Sequence, residues 1–205
     1  MTISQANSCT GFVLAGGKSS RMGANKAFLQ IEGQSLLERA LATLRAVCGE
    51  VMIAGDPALF SAHAEAVADV VPDCGPLGGI HAALSHSASE LNVMLAVDMP
   101  LASSTLLCFL IAAAGTSGAM VTVPRTARGY QPLCAVYHRD FASVAENALG
   151  AGKYKIDTTF GGLNLRVVDA AELAAAGFSA DCFFNVNTPE DLRAATLPSS
   201  RHFPG

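Results

Sequence analysis

Along this chain, short apolar runs of strand length alternate with longer stretches in which apolar residues recur every three or four positions. Residues 10–15 (TGFVLA) predict a first, buried strand. Ser35 and Glu38 have capping-box spacing and open the series Leu36, Leu37, Ala40, Leu41, Leu44, Val47, which predicts a helix over 35–48. Residues 50–54 read as a second strand, 57–66 as a helix entered through Pro57, and 66–71 as a third strand. A turn-rich stretch, 71–84 (VPDCGPLGGIHAAL), opens another helix. The run 91–97 (LNVMLAV) predicts a central strand that stops abruptly at Asp98-Met99-Pro100. Beyond it the pattern predicts a helix over 104–114, a strand over 118–123, a helix over 140–149 and a last strand over 163–168. Thr188, Pro189 and Asp191 occupy the N-cap, N1 and N3 positions of a final helix. Strands and helices in alternation imply an α/β fold whose sheet is mostly parallel.

Composition narrows this picture. A length of 205 residues suits one domain, expected over 10–196 with a flexible leader at 1–9 and a frayed tail at 197–205. With 51% hydrophobic and only 15% charged residues, the strands are expected to be covered by helices on both faces. The net charge of −4 provides no footprint for nucleic acid or an anionic membrane. No apolar run reaches the ~18 residues of a membrane span, and the N-terminus lacks the pattern of a signal peptide, so a cytoplasmic location is expected. Cysteines at 9, 48, 74, 108, 134 and 182 are scattered without C-x-x-C spacing, which points to core thiols rather than a zinc site or a disulfide framework.

The cations concentrate in residues 14–26, LAGGKSSRMGANK, directly after the first strand. Glycines at a strand's carboxyl end let the backbone approach a ligand and turn N–H groups toward an anion. Arg21 can contact phosphate oxygens in bidentate fashion, and Lys26 adds a movable point charge. The stretch is not a P-loop, because Phe12 stands where Gly17-Lys18-Ser19 requires a glycine five positions earlier. Nor is it G-x-G-x-x-G, because Gly16 and Gly17 are adjacent and the next glycine is Gly23. On residue types alone, a glycine turn with solvated cations remains open.

The whole string resembles the signature L-A-G-G-x-S-x-R-M-G-x-x-K of molybdenum cofactor guanylyltransferases, the MobA family, and matches every fixed position. Four further segments are similar to that family in the same order: Gly75-Pro76-Leu77-Gly78-Gly79, Asp98-Met99-Pro100, Gln131-Pro132-Leu133-Cys134-Ala135-Val136-Tyr137, and Phe183-Phe184-Asn185-Val186-Asn187-Thr188-Pro189-Glu190-Asp191. The resemblance implies a Rossmann-like, single-domain three-layer α/β/α fold with a mostly parallel mixed sheet, of the nucleotide-diphosphate-sugar transferase (GT-A-like) architecture. It implies that Leu14, Ala15, Gly16, Gly17, Lys26, Asp73 and Asp98 bind the nucleotide, that Asp98 coordinates Mg2+, and that Arg21, Lys26 and Asp98 are catalytic. Gln131, Asn185 and Asn187 fall on the acceptor side, with Asn187 also placed to offer a neutral oxygen to the metal. Read without the family, Asp73 could simply shape a turn beside Pro72, Asp98 could cap the helix that begins near Ser103, and Lys153 and Lys155 could be a solvated pair.

The activity implied is transfer of GMP from GTP to molybdopterin, with Mg2+ as cofactor and release of pyrophosphate. Transient contact with a molybdenum-insertion protein or a target apoenzyme is compatible with it. Gly16-Gly17 favours guanine, because cytidylyltransferases of the superfamily tend to carry Ala-Ala-Gly there. A cytidylyltransferase or another small-phosphate nucleotidyltransferase of the same superfamily, or a non-catalytic nucleotide- or partner-binding module, are the alternatives. One departure bears on the base: where many family members have an asparagine near the end of strand two, this chain reads Ile53-Ala54-Gly55-Asp56.

Overall fold

The computed structural model describes residues 9–16, 25–70 and 74–196. In chain order the strands are β1 (Cys9–Leu14), β2 (Gln30–Ile31), β3 (Gln34–Ser35), β4 (Glu50–Ala54), β5 (Ala66–Val67), β6 (Leu91–Ala96), β7 (Val121–Thr126), β8 (Gly129–Tyr130), β9 (Cys134–His138) and β10 (Leu165–Val168). The helices are α1 (Leu36–Arg45), α2 (Pro57–Phe60), α3 (Gly75–His86), α4 (Ser104–Ser117), α5 (Phe141–Gly150), α6 (Ala170–Ala175) and α7 (Pro189–Thr196). The main sheet runs β10-β7-β9-β6-β1-β4-β5, with β8 paired to β7, while β2 and β3 form a separate hairpin. β1 is parallel to β4 and β6, and β5 and β10 pair in parallel at the two edges. β9 runs antiparallel to both β6 and β7, which makes the sheet mixed.

Alternation along the strands divides the apolar side chains between two cores. Val13 of β1 joins Leu37 and Leu41 of α1 and Leu107 of α4 on one face. Phe12 and Leu14 join Leu77 and Ile80 of α3 and Phe141 of α5 on the other. Both faces are therefore covered, as the scarcity of charge implies. α1 starts with the expected capping box: Ser35 Oγ accepts from Glu38 N (3.2 Å) and Glu38 Oε2 accepts from Ser35 N (2.8 Å). The β2–β3 hairpin escapes the apolar pattern because its strands are two residues long. Glu32 and Gly33, at φ 51° and 81°, give its turn the double positive φ of a type I′ loop.

Several element ends differ from the sequence pattern, each for a local reason. α4 continues to Ser117 and is ended by Gly118 in the left-handed region (φ 59°), so the following strand begins at Val121 rather than 118. The helix expected over 57–66 is a single turn, and the strand expected over 66–71 pairs only at Ala66–Val67. That strand lies at the sheet edge, and the chain leaves it to carry Asp69 back over the strand ends. α1 stops at Arg45, yet Val47 and Cys48 stay buried, and Cys48 Sγ lies 3.6 Å from Cys9 Sγ. Among the described residues, no helix is long and apolar enough to cross a membrane.

Candidate active site

Register builds the site. Leu14 pairs with Ala54 of β4 and with Ala96 of β6, so three parallel strands end in one row. The chain passes from β1 to β4 and β5 on one side and returns to β6 on the other. This reversal opens a crevice at the carboxyl ends of the strands, where ligands bind in open α/β sheets. A cavity of about 500 Å³ lies there, walled by those three residues together with Gly16, Lys26, Asp69, Gly79, Asp98 and Leu133. Two backbone bonds hold its floor: Ala15 N donates to Ala54 O (3.0 Å) and Val97 N donates to Leu14 O (3.1 Å).

Lys26 begins a 3-10 turn capped by Asn25, whose Oδ1 accepts from Ala27 N (3.0 Å). Its ammonium donates to Asp98 Oδ2 and to Asn187 Oδ1, both at 2.9 Å. The Lys26 and Asp98 side chains are only 16% and 22% exposed. Asp98 hangs from the turn that follows the buried strand β6. Asn187 reaches the same point because Val186 is fully buried and its N–H donates to Asp98 O (2.8 Å). Asp191 then fixes the backbone beyond: its Oδ2 accepts from Asn187 N and Thr188 N, each at 2.9 Å, and Thr188 Oγ1 accepts from Asp191 N (3.1 Å). The Asn187 N–H in particular holds the Asp191 carboxyl below its usual range.

This donor set fits a hard divalent cation. Asp98 and Asn187 aim two oxygens at one point, where a cation, the Lys26 ammonium, already sits. Among the described residues no three acidic, His or Cys side chains cluster together. A site with one carboxylate and a neutral oxygen suits Mg2+, which keeps several waters and takes its remaining ligands from substrate phosphates.

Asp69 is the site residue that the sequence analysis passed over. It lies two residues beyond β5 on the cavity wall, and among the described residues its Oδ1 is buried with no hydrogen-bond partner. Burial pushes its pKa up. The carboxylate sits between two glycines: a Cβ on Gly16 would come within 3.9 Å of Oδ2, and one on Gly79 within 3.6 Å of Oδ1. α3 opens onto the same wall with Cys74 at its N-cap and no side-chain cap. The available signal was a lone acid inside the apolar run 66–71, where a plain strand has no use for one.

The remaining candidates fall in different places. Gln131 Nε2 donates to Thr126 Oγ1 (3.1 Å) and Gly129 O (3.3 Å), bracketing the β7–β8 turn; Leu133, two residues on, reaches the cavity wall. Asn185 Oδ1 is buried and, among the described residues, has no hydrogen-bond partner. Lys153 and Lys155 are exposed. Gly17, Arg21 and Asp73 lie outside the described residues. At Gly55, in the segment that departs from the family, a Cβ would come within 2.9 Å of the Phe60 ring, so a larger residue there would force the ring to shift.

Comparison with known proteins agrees with the geometry. A family model described as a MobA-like NTP transferase domain matches residues 11–162. The chain is 35% identical over 190 residues to the probable molybdenum cofactor guanylyltransferase of Pelotomaculum thermopropionicum, covering 92% of each protein. It is 33% identical to the molybdenum cofactor guanylyltransferase of Desulfosudis oleivorans, over 91% of this chain and 93% of that one. The crystal structure of molybdopterin-guanine dinucleotide biosynthesis protein A from Archaeoglobus fulgidus matches with a TM-score of 0.80 at 29% identity, over 91% of this chain and 96% of the other. A cytidylyltransferase of 2-C-methyl-D-erythritol 4-phosphate from Thermus thermophilus shares the fold, with a TM-score of 0.68 at 21% identity over 93% and 97% of the two chains.

Proposed function

The chain belongs to the MobA-like NTP transferase family, and from that premise we propose that it transfers GMP from GTP to the terminal phosphate of molybdopterin. The bond formed joins an oxygen of that phosphate to the α-phosphorus of GTP, and the bond broken releases pyrophosphate. The observation that carries the reading is the convergence of Lys26, Asp98 and Asn187 beside a cavity whose wall also holds Asp69, with its Oδ1 lacking a hydrogen-bond partner among the described residues.

The tasks of the chain are positioning and charge neutralisation. Lys26 holds a positive charge against the triphosphate, supported by Arg21 from the same signature. Glycines at positions 16 and 17 present no side chain to obstruct close approach of the nucleotide, and Leu14 and Ala15 tie the end of β1 to the neighbouring strands. Asp98, with Asn187 beside it, would hold Mg2+; when bound, the ion supplies hard positive charge to phosphate oxygens. Asp69, on the cavity wall, selects the base: its carboxylate can accept from the N1–H or the 2-amino group of guanine, donors that cytosine does not present together. Asp73, with Gln131 and Asn185 on the acceptor side, completes the proposed contacts. Transient hand-over to a molybdenum-insertion protein or a target apoenzyme, in the cytoplasm, belongs to the same proposal because the product is a labile cofactor.

Calorimetric titration with GTP, CTP and ATP in the presence of Mg2+ tests the base, and pyrophosphate release with molybdopterin tests the chemistry. GTP is expected to bind selectively. Asp98→Ala should stay folded and lose about 100-fold or more of the turnover, as when a preorganised charge-stabilising group is removed. Preferential binding of CTP would move the protein to the cytidylyl branch, and a folded, fully active Asp98→Ala variant would remove Asp98 from the mechanism.

A further inference from the structure

Lys26 does more than wait for a phosphate. Its ammonium occupies the point at which Asp98 Oδ2 and Asn187 Oδ1 converge, 2.9 Å from each. Those two oxygens are the ones suited to a divalent cation, so the chain's own lysine and an external cation compete for one seat. The seat itself is rigid. Asp98 hangs from the buried strand β6, its carbonyl is tied to Val186 N at 2.8 Å, and Asp191 clamps the backbone of Asn187 and Thr188. The lysine is the movable part, being a flexible stem on a short 3-10 turn.

We propose that Lys26 is an internal cation that closes the seat in the ligand-free enzyme, so that divalent cation and triphosphate are taken up together rather than the cation first. This rests on the reading of the site as a metal-assisted nucleotidyltransferase. Asp98 is neutralised by Lys26 until triphosphate oxygens offer the ammonium another partner. Only when Lys26 has moved to them are both seat oxygens available. By linkage, whatever draws Lys26 away tightens cation binding, and the cation in turn tightens triphosphate binding by the same factor. If Lys26 fills the seat in about nine molecules of ten, it weakens cation binding about tenfold, the reciprocal of the open fraction.

The test uses Mn2+ alone, with no nucleotide, followed by electron paramagnetic resonance or calorimetry on the full chain. Lys26→Gln, and Lys26→Met in case glutamine keeps a bond to Asp98, should bind Mn2+ about tenfold more tightly than the wild type. Lys153→Gln makes the same change of net charge at an exposed side chain and should leave Mn2+ affinity unchanged. Adding Asp98→Asn to either Lys26 variant should abolish the gain. Circular dichroism and thermal melting establish that each variant is folded. The latch is overturned if the Lys26 variants bind Mn2+ no better than wild type, if Lys153→Gln gains as much, or if the gain survives Asp98→Asn. Because no nucleotide enters this measurement, a failure of GTP selectivity leaves its outcome intact, and the two ideas fall separately.

Discussion

Asp98 and Asp69 share one cavity wall under opposite electrostatic conditions. Asp98 has a cation at 2.9 Å, whereas Asp69 has one oxygen buried with no hydrogen-bond partner among the described residues. Burial raises the Asp69 pKa, so the folded state holds that proton more tightly than the unfolded state. Stability then falls as pH rises from about 3.9, the ordinary Asp value, through the raised folded value. Asp69→Asn is expected to raise the melting temperature of the ligand-free protein at pH 7, to lose that gain below about pH 3.9, and to weaken GTP binding. Scanning calorimetry at both pH values and a GTP titration check this; a variant with unchanged melting and unchanged affinity would remove Asp69 from the site. Gly55 shows the same economy of space. A Cβ there would come within 2.9 Å of the Phe60 ring, so any side chain at this position would have to displace that ring.

Two helix starts have similar sequence signatures and different consequences. Ser35 and Glu38 cap α1, whose Leu36, Leu37, Ala40, Leu41 and Leu44 are buried, so the cap supports the core. Thr188 and Asp191 cap α7, which has no buried residues. Their cap instead fixes Asn187, the partner of Lys26. Ser35→Ala is expected to cost about 1 kcal/mol in denaturant unfolding and to leave nucleotide binding intact. Thr188→Ala should change global unfolding less while weakening GTP binding, because what it loosens is the site. Equal effects of the two substitutions on binding would contradict this division. The Asp191 carboxyl, held low by the Asn187 N–H, remains charged throughout the neutral range. Its contribution to the cap is lost only as pH falls below about 3.9 toward the lowered folded value.

For the molecule as a whole, stability rests on two cores separated by one sheet. Leu37 and Ile80 are both fully buried, one on each face. Leu37→Ala and Ile80→Ala should each cost about 2–5 kcal/mol. The sheet lies between them and they share no core, so the double variant should show the sum within about 0.5 kcal/mol in guanidinium unfolding. A shortfall larger than that would mean that the two faces repack together. Both cores also support the site, since Leu14, Ala54 and Ala96 form its floor and each is anchored in one of them.

Much of this was legible in the chain because it depends on local periodicity. Apolar runs of strand length, helical spacing after Ser35 and the Thr188-Pro189 start are properties of neighbouring residues, and they suffice for an α/β fold with Asp98 just beyond a strand end and Lys26 in the stretch that follows the first strand. The family signature added the chemistry of those positions. Element ends were less legible, because Gly118 and the edge position of β5 act through backbone conformation and pairing. Tertiary structure alone decided what meets across the site. Lys26 and Asn187 are 161 residues apart in sequence, and Asp69 becomes a wall residue only because β5 pairs for two residues and then turns back over the strand ends. No local pattern specifies such contacts. They follow from the parallel register of β1, β4 and β6, which brings separate loops to one edge of the sheet.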